Sequence, residues 1–97
     1  MRFEWDENKR VSNIQKHGID FVDVPRMYDW PVFTTLDEYK IDIEERWIGI
    51  GFLDFRFVAV VFIEIDDEVI RIISARKATK QERKQYEQYL KDRLGAG

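Results

Sequence analysis

Three features of the sequence predict an α+β domain. Two helix signals open the chain, the hydrophobic period changes after Val32 to alternation or to unbroken β-branched and aromatic runs, and a well-capped helix closes it. The predicted architecture is a small twisted antiparallel sheet of about four strands, with two N-terminal helices and a C-terminal helix packed against it. The 97 residues fit one domain spanning 1–97, because a chain of this length buries roughly 60 to 68% of its unfolded surface and leaves little for a second core. No internal repeat, low-complexity block or linker interrupts it.

Taken in order, Arg2–Trp5 is a very short extended start. Asp6 is placed to cap a helix over about Glu7–His17, and Gly18 supplies its stop, since glycine takes the left-handed C-terminal conformation without steric cost. Val11, Ile14 and His17 recur on one face of that helix. A second short helix is expected within Phe21–Tyr28, on the spacing of Phe21, Val24 and Tyr28. Pro25 constrains it: proline fits a first turn but kinks an established helix, so this one starts near Val24 or bends there. Trp30-Pro31 closes it, because the residue before proline is pushed out of helical geometry.

Strands are predicted near Val32–Leu36, Arg46–Leu53, Arg56–Ile65 and Val69–Ala75. The acidic loop DEYKIDIEE and turns at Asp54-Phe55 and Asp66-Asp67-Glu68 join them as an antiparallel meander. Gly49 and Gly51 leave one face of the second strand shallow, a place for close packing. Val58–Ile63 is apolar on both faces, which suits a central strand. Thr79 and Glu82 form a capping box for a last helix running through Leu94, with Tyr86, Tyr89, Leu90 and Leu94 as its apolar stripe and Gly95-Ala96-Gly97 as a fraying tail.

Composition narrows the function classes. Hydrophobic residues make up 44% of the chain, which is too much packing material for a disordered segment. Without cysteine, disulfides, thiolate catalysis and the common zinc–thiolate sites are excluded. The charged start MRFEWDENKR lacks a signal-peptide core, and the longest apolar stretch, Phe57–Ile63, falls well short of the ~20 residues of a membrane helix. A soluble cytoplasmic protein without a membrane partner is expected. Residues 1–70 carry 8 basic and 16 acidic groups, whereas residues 71–97 carry 8 basic and 3 acidic, so the net charge of −3 divides into −8 and +5. The positive segment can engage a polyanion locally while the rest discourages indiscriminate adhesion.

No glycine-rich phosphate loop, metalloprotease helix, EF-hand or nucleophile elbow is present, and Glu44-Glu45 need not converge, so neither a metal site nor a cofactor is expected. His17 is the one side chain whose ordinary pKa lies near neutrality; it serves either as acid or base, or as a helix C-terminal cap. Arg71 and Arg76 lie on the last strand and its exit. Their odd separation puts them on opposite faces unless a bend near Ser74 or Ala75 intervenes. Arg46, at the start of another strand, can meet either across the sheet. These arginines offer planar forks for phosphate, or else pair with Glu45, Asp42 or Glu82. Lys77, Lys80, Arg83 and Lys84 flank the start of the last helix, as a solvated face or as a polyanion site that offsets cations opposing the helix dipole. Tyr86 is a core ring, or a group that stacks on a base or donates a hydrogen bond to a transferred phosphate.

The segments FEWDENKRVSNIQKHGIDF and RIISARKATKQERKQY, in that order, resemble the BrnT family of toxins from bacterial type II toxin–antitoxin pairs. Phe3, Trp5, Asp6, Lys9, Asn13, Lys16, His17, Gly18, Phe21, Arg46, Arg71, Ile72, Ser74, Ala75, Arg76, Glu82, Arg83 and Tyr86 carry that resemblance. It implies a RelE-like fold and metal-independent endoribonuclease activity that inhibits translation and growth. It also implies neutralisation by a BrnA-like ribbon-helix-helix antitoxin, which brings the toxin to operator DNA as corepressor. The expected chemistry is attack of an RNA 2′-hydroxyl on its adjacent phosphate. Arg71 and Arg76 clamp that phosphate, Arg46 assists, His17 or Tyr86 moves a proton or orients substrate, and Lys16, Lys77, Lys80, Arg83 and Lys84 guide RNA, ribosome-bound or free. The competing class is a noncatalytic module that binds an acidic or DNA-binding partner.

Overall fold

The computed structural model describes residues 1–37 and 45–95. The interior of the predicted acidic loop, with Asp42 and Glu44, and the end of the glycine tail lie outside them. The elements run β1 (Arg2–Trp5), α1 (Glu7–His17), a 3-10 helix (Phe21–Asp29), β2 (Phe33–Leu36), β3 (Trp47–Leu53), β4 (Arg56–Asp66), β5 (Val69–Lys77) and α2 (Lys80–Arg93).

The strands form one five-stranded sheet in the order β1-β5-β4-β3-β2. β2 through β5 make the predicted antiparallel meander, with β4 at its centre. The expected count of about four strands is corrected by β1, which pairs parallel with β5, Phe3 opposite Ile70 and Trp5 opposite Ile72. Phe3 and Trp5 pack against the hydrophobic core, and that non-local burial holds a segment too short to declare its pairing in sequence.

α1 is capped by the Asp6 side chain, which accepts from the Asn8 and Lys9 amides, and is stopped by Gly18 at φ 69°. Its anchor is polar rather than the expected Val11–Ile14 stripe, both of which are exposed. The buried residue is Asn13. Its amide donates to the carbonyls of Ile19 (2.9 Å) and Ala75 (2.8 Å), and its oxygen accepts from the Ala75 N–H at 3.1 Å. Since β1 ends opposite Ile72, Asn13 supplies the backbone partner that β5 lacks beyond that point.

The second predicted helix is a 3-10 helix throughout, with Pro25 inside it. Three residues per turn align Phe21, Val24 and Met27, all buried, on one side. This Pro25 helix packs over the shallow face of β3: a Cβ on Gly51 would stand 3.0 Å from Met27 Cε, and one on Gly49 3.6 Å from the Tyr28 hydroxyl. Beneath it lies the core of Val58, Val60, Phe62, Ile70 and Ile72.

On the opposite face, α2 covers one part of the sheet through Tyr86 against Phe57 (5.8 Å between centroids) and Tyr89 against Phe33 (5.3 Å). Ile48, Val61 and Ile63 on the same face stay only half-buried. The register of β5 changes here: Val61 opposes Ser74 and Phe62 opposes Ile72, so Ile73 is an extra, bulged residue. Alternation is therefore broken once, and Arg71 (opposite Ile63), Ser74 (opposite Val61) and Arg76 (opposite Ala59) share one face. The exception expected near Ser74 or Ala75 occurs one residue earlier, as a bulge, and it removes the opposite-face placement of regular alternation.

Candidate active site on the open sheet face

Trp47 pairs with Phe62, which brings the preceding residue, Arg46, alongside Ile63, the cross-strand partner of Arg71. Arg46 and Arg71 consequently line one groove of about 160 Å³, together with Asp6 and Lys9. Arg71 is half exposed, and its Nε contacts the Glu4 carboxylate at 3.1 Å. A single exposed ion pair of this kind contributes about 0 to 1 kcal/mol, so an incoming phosphate can displace it.

A second groove, of about 350 Å³, runs between α1 and β5 and includes Ser12, Lys16, His17 and Ser74. Lys9 and Ile73 line both grooves. The helical period explains the basic edge, since Lys9, Ser12 and Lys16 at i, i+3 and i+7 fall on one face of α1. The bulge at Ile73 and the Asn13 anchor set β5 against that edge. Lys9 was not among the candidate site residues; its register with Lys16 is the signal that identifies it. Lys16 and His17 occupy the last turn of α1, where the helix dipole favours cations.

Arg76 and Tyr86 are placed differently. Arg76 makes a two-pronged pair with Glu82, at 2.7 and 3.0 Å, and Glu82 simultaneously completes the capping box with Thr79. The pair holds the Glu82 carboxyl below, and the Arg76 guanidinium above, their ordinary pKa values. Tyr86 is buried, and its hydroxyl donates to the Pro31 carbonyl at 2.7 Å. Burial raises its pKa. Both residues fasten α2 to the sheet. Lys77, Lys80 and Arg83 line a third groove, of about 710 Å³, beside the β3–β4 turn, while Lys84 is exposed and lines none of the three.

Among the described residues, no group of three or more His, Asp or Glu side chains is placed to hold a metal ion, and no helix is long and apolar enough to cross a membrane. The structure thus brings Arg46 to Arg71 and Lys16 to His17, joins the two pairs through Lys9, and sets the α2 residues apart.

Residues 5–82 match the model of a family described as the ribonuclease toxin BrnT of type II toxin–antitoxin systems. The chain belongs to the BrnT family. The matched span contains Lys9, Lys16, His17, Arg46, Arg71 and Arg76, and ends before Arg83, Lys84 and Tyr86. The crystal structure of the Brucella abortus ribonuclease toxin BrnT is similar, with a TM-score of 0.61 and 34% identity, covering 82% of this chain and 99% of that one. No curated protein matches the sequence.

Proposed function

We propose that this BrnT-family toxin is a metal-independent endoribonuclease whose cleavage site is the open sheet face. The observation that carries the reading is the convergence of Arg46 and Arg71, from separate strands, on one groove that continues past Lys9 to Lys16 and His17. In cleavage of RNA by its own 2′-hydroxyl, that oxygen loses its proton and bonds to phosphorus, a 2′,3′-cyclic phosphate forms, and the 5′-oxygen leaves as a hydroxyl. The pentacoordinate intermediate carries an extra negative charge, which guanidinium groups stabilise in a partly desolvated groove. Arg71 and Arg46 take that role. Arg76, engaged by Glu82, holds the strand exit that positions Arg71.

His17 is assigned to substrate orientation at the other end of the seam, with Lys16 seating the strand. Lys9 and His17 are eight positions apart on the helix, about 12 Å along the axis, so an extended strand places one phosphate between Arg46 and Arg71 and a later one at Lys16 and His17. Tyr86 acts by positioning α2. Lys77, Lys80, Arg83 and Lys84 guide the RNA outside the cleavage groove.

The same reading has a ribbon-helix-helix antitoxin similar to BrnA covering the basic face, neutralising the toxin in the cytoplasm and carrying it to operator DNA as corepressor. Membership of a toxin–antitoxin family supports the partner. The RelE-like relationship is part of this reading and fits helices flanking an antiparallel sheet.

The test uses purified protein and a defined RNA with a chelator present. Wild type is expected to cleave, with R71A and R46A each losing about 10²-fold or more, H17A losing turnover, and Y86A losing stability first. Wild-type-like turnover in R46A, R71A, R76A, H17A and Y86A together, all folded, overturns the site. In cells, expression is expected to arrest growth and the cognate antitoxin to restore it.

A further inference from the structure

Phe55 occupies an unusual position. It is 95% exposed and stands in the left-handed region at φ 66°, next to Asp54 at φ 50°, in the two-residue β3–β4 turn. This geometry suits Asn or Gly, and a bulky side chain there costs about 1 to 2 kcal/mol by steric clash with its own backbone. Its ring touches Phe52 edge-on at a centroid distance of 6.4 Å, a contact that leaves its accessible surface almost whole.

On one side the neighbours of this ring are cationic, while on the other it borders Arg26, Asp29 and Asp54. Phe55 is one wall of the third groove, whose other walls include Arg56, Phe57, Lys77, Lys80 and Arg83, with no carboxylate among the lining residues. The Arg83 guanidinium lies 4.5 Å over the Phe57 ring, so the groove already holds one cation on an aromatic face. Lys80 and Arg83 sit in the first turn of α2, where the helix dipole opposes them. Arg56 donates to the carbonyl of Gly18, the residue after His17, at 3.1 Å. The groove therefore begins where the α1–β5 seam ends.

An exposed flat ring beside a cation-lined groove is the arrangement that binds single-stranded nucleic acid: bases stack on the ring and phosphates track the cations. We propose that Phe55 and the groove beside it form a binding subsite for single-stranded RNA, stacking one unpaired base of the strand that leaves the seam past His17. This inference rests on the ribonuclease reading and adds the substrate class: RNA that is unpaired on that side of the cut.

The experiment measures binding of a fluorescent, fully 2′-O-methylated single strand, which lacks the attacking hydroxyl, to the full chain and to F55A, F55N and F55W, with melting temperatures alongside. F55A and F55N are expected to bind about tenfold more weakly, and F55W within about twofold of wild type. F55N is expected to melt at or above the wild-type temperature, because asparagine tolerates the left-handed backbone; stability and binding then move in opposite directions. Wild-type affinity in F55A and F55N overturns the subsite. So does loss of antitoxin binding in F55N with RNA binding intact, which makes the groove a protein-docking site. Turnover on the unmodified strand, measured in parallel, separates the two readings. If wild type cleaves while F55N binds normally, only the subsite falls; if wild type neither binds nor cleaves, the ribonuclease reading falls and the subsite with it.

Discussion

Arg71 and Arg76 stand five residues apart on one face of β5, yet their side chains are held in opposite ways. Arg71 is half exposed, lies in a groove with Arg46, and holds Glu4 by a single contact. Arg76 is two-thirds buried and gripped through both guanidinium nitrogens by Glu82, itself 14% exposed. The first can exchange its carboxylate for a phosphate at little cost, whereas the second would have to dismantle the start of α2 to do so. A basic cluster in sequence thus resolves into an exposed end and a structural end, and side-chain partners, not charge, divide them.

The largest predicted effect comes from Ile72→Ala. Ile72 is 1% exposed and lies beside the bulge, paired with Trp5 on one side and Phe62 on the other. Emptying that position costs about 2 to 5 kcal/mol, against a total stability of about 5 to 15 kcal/mol for a domain. The variant is expected to melt far below wild type by circular dichroism.

Asn13→Ala comes next. It leaves the Ala75 N–H and two carbonyls without the amide that satisfies them, at a cost of about 2 to 4 kcal/mol. Urea unfolding should show a lower midpoint, and turnover should fall as well, because α1 and its lysines are no longer fixed against the bulge.

Glu82→Gln acts on the structural end alone. The folded carboxyl titrates below its ordinary value because of Arg76. Its contribution is therefore present above pH about 4.3 and lost as pH falls through the lower folded value. Near pH 7 the variant should be less stable by about 1 to 2 kcal/mol, and the gap to wild type should close in acid. A constant gap down to pH 2 would contradict the pairing.

The smallest effect expected is that of Lys9→Ala, which removes a cation lining both grooves. KM for RNA should rise by roughly five- to tenfold, an electrostatic loss that shrinks with added salt.

The sequence revealed features fixed by local chemistry. Asp6, Gly18, Thr79 and Glu82 declare their helix ends because capping is settled within four residues. Gly49 and Gly51 foretold a close neighbour, but not that it would be a helix of three residues per turn, which Pro25 and the triplet Phe21, Val24 and Met27 imply only together. The β1–β5 pairing and the position of the bulge were not legible. VIRIISARK is a run of strand formers with no glycine or proline to mark Ile73, and its register is decided by β4. Arg46 was expected to meet Arg71 or Arg76 across the sheet, and the register of β4 selects Arg71. Tyr86 read first as core and second as site; it is buried, and its hydrogen bond to Pro31 reveals the attachment of α2.

The most direct test of the division between the two arginines measures turnover and melting temperature together for R71A and R76A. R71A is predicted to lose about 10²- to 10³-fold in turnover with an unchanged melting temperature. R76A is predicted to lose less than about tenfold in turnover while folded, and to melt lower by roughly 5 to 15 °C, the equivalent of about 1 to 3 kcal/mol. R71A turning over like wild type, or R76A losing more activity than R71A at an unchanged melting temperature, would contradict the account.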